Sequence, residues 1–127
     1  MEFLLKLIAE DEKEQFEVEV ANRSVDVMQI VDNRALLTYV VQKRGWGKVL
    51  QNILKGRPDL DLNFIDSRGM TLLSYAAMKG DEEIVGTLIE HGSEFDKDPN
   101  KETNPIKLAA RYKNWDIHKM LKPNDDE

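Results

Sequence analysis

The chain contains no cysteine. Disulfides, thiolate-held zinc and cysteine nucleophiles are excluded together, and the absence fits a reducing, cytoplasmic setting. No apolar run approaches the ~20 residues that a membrane span needs. The apolar opening from Met1 to Ala9 is too short. It carries Glu2 where a secretory signal has positive charge, and an acidic cluster where cleavage would fall. It reads as a core helix, and no membrane association is expected. Gly-x-Ser-x-Gly, Walker and His-Glu-x-x-His patterns are missing as well.

There are two histidines, His91 and His118, and neither has a partner at zinc-ligand spacing. Acidic pairs such as Glu82-Glu83 and Asp125-Asp126 are neighbours in sequence and suit a helix start and a tail, not a catalytic cleft. The expectation is a protein that is not an enzyme, with no catalytic residues, no bound metal and no cofactor.

The net charge is −6 over 127 residues. Such an excess of acid repels a phosphate backbone, so nucleic acid is not an expected partner. The acidity is local. Residues 1–31 hold eight acidic and three basic side chains, and the remaining residues are nearly balanced. The length fits one domain, which can bury roughly two thirds of its unfolded surface without staples.

An internal repeat is the main signal. Thr71-Leu72-Leu73-Ser74-Tyr75-Ala76-Ala77 aligns with Asn104-Pro105-Ile106-Lys107-Leu108-Ala109-Ala110 at an offset of 33 residues, which persists at Ile84/Ile117 and Leu88/Leu121. A further copy lies upstream: Leu36 to Val41 matches Leu72 to Ala77 at an offset of 36, then Val49 matches Ile84 and Ile53 matches Leu88 at 35. One extra residue around Gly45-Trp46-Gly47 accounts for the change.

Each unit has a physical reading. Gly69 permits a turn with φ > 0, and Thr71 caps the helix that follows. Leu73, Ala76 and Ala77 form one helical stripe. Gly80 ends that helix in the left-handed conformation. Asp81 caps a second helix, with Glu82 and Glu83 at its positive end. Ile84, Val85, Leu88 and Ile89 give its apolar face, and His91-Gly92 closes it. Neither helix buries its apolar face alone, so the units must stack.

These residues resemble the ankyrin repeat. The match is carried by Asp66-Ser67-Arg68-Gly69-Met70-Thr71-Leu72-Leu73-Ser74-Tyr75-Ala76-Ala77-Met78-Lys79-Gly80-Asp81, then Ile84-Val85, Leu88-Ile89 and His91-Gly92. Leu72 stands in place of the family proline and Ser74 in place of the family histidine. The second change is expected to remove a group that ties neighbouring loops. Glu102 and Lys113 replace both glycines of the last copy, and Asp32-Asn33-Arg34 shortens the turn of the first.

The resemblance implies an all-α fold, an ankyrin-repeat solenoid of about three to four helix-turn-helix repeats with an N-terminal helical cap. The expected divisions of a single domain at 1–122 are a cap at 1–31, repeats at 32–64 and 65–97, and a C-terminal capping repeat at 98–122. Residues 123–127 are expected to be a disordered tail. Within the cap, residues 14–30 admit two readings, because Phe16-Glu17-Val18-Glu19-Val20 also alternates with the period of a strand.

The resemblance also implies a protein–protein interaction module that binds partners with its turn tips and the exposed side of each first helix. Carried over, these positions are Ser67, Arg68, Met70, Met78 and Lys79 in the central repeat. In the last they are Asn100, Lys101, Thr103, Arg111 and Tyr112, and in the first Arg34, Lys43 and Arg44, with Trp46 nearby. That set is basic and contains no acid. It suits an acidic partner surface anchored by arginine and aromatic side chains. The alternative interface is the acidic N-terminal face, Glu10 to Glu19, against a basic partner. The expected role is a single-copy, monomeric chain that binds and inhibits or neutralises one partner. A toxin-immunity protein and a host-protein-binding effector or adaptor are the alternatives.

Overall fold

A computed structural model describes residues 2–21, 25–31, 34–94 and 102–121. The described elements run α1 Glu2–Ala9, α2 Lys13–Ala21, β1 Ile30–Val31, β2 Arg34–Ala35, α3 Leu36–Val41, α4 Gly47–Gly56, α5 Leu72–Lys79, α6 Glu82–Glu90, α7 Pro105–Arg111 and α8 Trp115–Leu121. Consecutive helices pair as α1/α2, α3/α4, α5/α6 and α7/α8. The first helices pack in the order α1, α3, α5, α7, and the second helices in the order α2, α4, α6, α8. The result is a two-layer stack in which each pair covers its neighbour's apolar flank, as repeat folds require.

The core runs unbroken along the stack, from Phe16 and Val20 through Leu37, Val40 and Leu50 to Leu73, Val85, Leu88 and Ile117. Ala76, Ala77 and Ala109 are fully buried. Their small side chains let α5 lie close between α3 and α7, which larger residues would hold apart.

Residues 13–21 are helical, which decides between the two readings of the N-terminal segment. Phe16 and Val20 are buried one helical turn apart, while Val18 is 65% exposed. A strand would have put 16, 18 and 20 on one face. The only strand pairing among the described residues is the short antiparallel β1–β2, with Ile30 opposite Ala35. The expected shortened turn at Asp32-Asn33 and the expected disordered tail at 123–127 lie outside the described residues.

The helix ends follow local chemistry. Thr71 caps α5 in a reciprocal box with Ser74. Asp81 accepts hydrogen bonds from the N–H groups of Glu83 and Ile84, and Asn104 does the same for Ile106 and Lys107. Before each second helix the chain passes through the left-handed region. The residues there are Asp11 (φ 62°), Gly45 (φ 91°), Gly80 (φ 80°) and Lys113 (φ 62°).

The residue before each second helix also reaches back to the preceding repeat. The Trp46 indole N–H donates to Asp11 Oδ1 at 2.5 Å. Asp81 Oδ2 accepts from Gly45 N–H at 2.8 Å. The Asn114 amide donates to the carbonyls of Ala77 at 2.7 Å and Met78 at 3.1 Å. Three different chemistries thus occupy one structural position. At the other end of the helices, Arg57 donates to the Val20 and Val25 carbonyls at 2.6 Å each.

Candidate functional site

Repeat-equivalent positions on the side of the turn tips and first helices fall into rows across the stack. The offsets of 36 and 33 residues put Arg34, Met70 and Thr103 in one row and Lys43, Lys79 and Tyr112 in another. Arg44, Ser67, Arg68, Lys79, Arg111 and Tyr112 are exposed. Arg34, Lys43, Met70, Met78 and Thr103 are half-buried. Asn100 and Lys101 lie outside the described residues.

The central turn tip is held by Asp66. One carboxylate oxygen accepts the N–H groups of Arg68 at 2.9 Å and Met70 at 3.0 Å. The other accepts the Tyr75 hydroxyl at 2.5 Å. Burial opposes ionisation of Asp66, but the Tyr75 bond, the two backbone donors and the Arg68 charge outweigh it and hold its pKa below the ordinary value. Burial and the facing Asp66 carboxylate push the Tyr75 phenol up to about 12. A fixed turn thus presents Ser67 and Arg68 to solvent.

The first tip is built differently. The Arg34 guanidinium lies 5.1 Å from the centroid of the Tyr39 ring and donates to Gln42 Oε1 at 2.9 Å. Tyr39 was not among the expected contacts, although its place on α3, five residues after Arg34, could have indicated it. Its stacking fixes Arg34 as a flat cation at the turn.

Three expectations need correction. Trp46 is fully buried. Its ring packs edge-on against Phe16 at 5.2 Å, and its N–H is taken by Asp11. It is a joint between repeats and has no surface to offer a partner. The second concerns charge. Glu102 sits at the last tip and pairs with both Arg111 and, at 2.8 Å, Lys107. These two cations hold the Glu102 carboxyl at about 2. Arg111 is therefore neutralised within the chain, and the site does contain acid. The third concerns Ser74, whose hydroxyl donates to the Thr103 carbonyl at 2.8 Å. The tie between neighbouring tips survives loss of the family histidine, because a hydroxyl at that position still reaches the next loop.

The net cationic part of the site thus contracts to the two middle repeats: Lys43, Arg44, Arg68 and Lys79, beside Met70 and Met78. No group of three His, Cys, Asp or Glu able to hold a metal occurs among the described residues. No helix among them is long and apolar enough to cross a membrane.

The family described as "Ankyrin repeats (3 copies)" matches residues 34–127. No curated protein matches the sequence. Among solved structures the fold is similar to the human ASB11 ankyrin repeat domain, with a TM-score of 0.78 at 20% sequence identity, over 96% of this chain. The chain spans about half, 53%, of that structure's length.

Proposed function

The chain belongs to the ankyrin-repeat family, and we propose that it is a binding module that holds one acidic partner protein against its turn tips and first helices. The carrying observation is the group of cations on the middle repeats, exposed Arg44, Arg68 and Lys79 with half-buried Lys43, set beside half-buried Met70 and Met78. Met70 and Met78 supply adaptable apolar contact, and the cations select for carboxylates. Occupying that surface would inhibit or neutralise the partner, in the cytoplasm, without a catalytic step by this chain. An effector or adaptor role would use the same surface to recruit instead of block.

A second reading rests on the exposed Glu10, Asp11, Glu12 and Glu14 at the turn between α1 and α2. It makes the chain an immunity protein holding a basic toxin by its N-terminal repeat. The two readings differ in the sign of the partner's charge.

The test is affinity purification from the native cell, followed by binding measurements on the recovered partner. The double variant Arg68→Glu with Lys79→Glu is expected to weaken binding at least tenfold, mostly through slower association, with an unchanged circular dichroism spectrum. Unchanged affinity rejects the groove. Loss of binding in Glu12→Lys with Glu14→Lys, and not in the groove variant, selects the second reading.

A further inference from the structure

The register of the joints specifies what a further repeat would meet at either end of the described stack. At the α4/α6 and α6/α8 joints the first residue of one second helix faces the second residue of the next. A Cβ built on Gly47 would lie 2.6 Å from the Glu83 side chain, and Glu82 lies against Asp116, whose charge raises the Glu82 pKa. The residue before each second helix reaches back to the preceding turn, as Trp46, Asp81 and Asn114 do. At the C-terminal end of the stack the forward-facing position is Trp115, which is 59% exposed and touches the His118 ring edge-on. The turn that would receive a reaching side chain carries Lys113, also exposed. At the N-terminal end the reaching position is Glu12, whose carbonyl accepts the Phe16 N–H, and the second residue of α2 is Glu14. Both are exposed, and Phe3 is 53% exposed on α1 above them.

We propose that the N-terminal repeat of a second copy of this chain docks on the C-terminal repeat and continues the stack head to tail. In that register Glu12 meets the Lys113 turn, Glu14 meets Trp115, and Phe3 covers the half-buried Ile106. The ends are charge-complementary. The described residues of α1–α2 carry seven acids and two lysines, whereas residues 102–121 carry two acids and four Lys or Arg. The contact is heterologous, so it propagates into open chains and does not close as a dimer. It replaces the single-copy expectation and is independent of the groove reading, because neither end uses Arg68 or Lys79.

Sedimentation velocity from about 1 µM to about 1 mM protein, the range in which a weak interface titrates, tests it. The wild-type mass is expected to climb continuously with concentration, and to climb less when salt rises from about 0.05 M to about 0.5 M and screens the end charges. Trp115→Glu blocks one end and Glu12→Lys the other, each weakening self-association by roughly thirtyfold, as loss of an anchoring contact does. Neither position is buried, and circular dichroism checks that both variants fold. Mixing the two variants restores one wild-type contact and should give a complex of two chains. A wild-type mass fixed at one chain throughout overturns the proposal. So does a two-chain species that survives both variants.

Discussion

The two middle repeats and the two outer ones solve the same turn with different residues. Gly45 and Gly80 take the left-handed conformation before α4 and α6, whereas Asp11 and Lys113 take it before α2 and α8. A residue with a side chain is strained there, by about 1–2 kcal/mol. Room is tight at Gly80, where a Cβ would come within 2.7 Å of Asn114, and open at Gly45, where a Cβ would meet nothing within 4 Å. Lys113 and Asp11 stand in the last and first of the described helix pairs. Asp11 also has a use for its side chain, since it receives Trp46.

The largest test of this contrast is Trp46, where a middle repeat grips an outer one. Trp46→Ala leaves a cavity against Phe16 and strands Asp11 without its donor. It is expected to cost about 3–5 kcal/mol in chemical denaturation. A loss below 1 kcal/mol would mean that the N-terminal pair is not held by this joint.

Asp66 comes next. Asp66→Ala removes the acceptor for Tyr75 and for two backbone donors and should cost about 2 kcal/mol. The pH dependence has two limbs. The Asp66 pKa is lowered in the folded state, so its contribution is present above the unfolded value and is lost as pH falls through the folded one. The Tyr75 pKa is raised to about 12 from an ordinary 10.0, so its contribution is full below pH 10 and is lost as pH rises through 12. A urea midpoint measured between pH 9 and 12 should fall in the wild type more steeply than in Tyr75→Phe.

Lys113→Gly gives the smallest effect and the opposite sign. It relieves the left-handed strain at an outer turn and should stabilise by about 1 kcal/mol, near 3 °C in Tm. No gain in a thermal melt would show that the outer turn has already relaxed its strain, and the contrast with Gly80 would dissolve.

Much of the fold was legible because repeats are local. The period, the caps at Thr71 and Asp81, and the stop at Gly80 depend on residues within one or two turns of each other. The segment around Phe16 to Val20 stayed ambiguous, because five residues of alternating hydrophobicity fit either a strand or one helical turn. Burial of Phe16 and Val20 against neighbouring helices decided it.

The candidate site was less legible. Trp46 looked available because a tryptophan beside two glycines in a turn carries no sign of being covered. Glu102 was missed as a site residue because its partners, Lys107 and Arg111, lie five and nine residues away across a turn into a helix.

Sequence alone determined the repeating unit, its helix boundaries and the need to stack, since all three follow from where apolar and capping residues fall along a short stretch of backbone. Tertiary structure alone decided which turn residues face solvent and which side chains bind one repeat to the next. Those outcomes depend on a neighbour some 35 residues away, and the chain's local pattern carries no record of that distance.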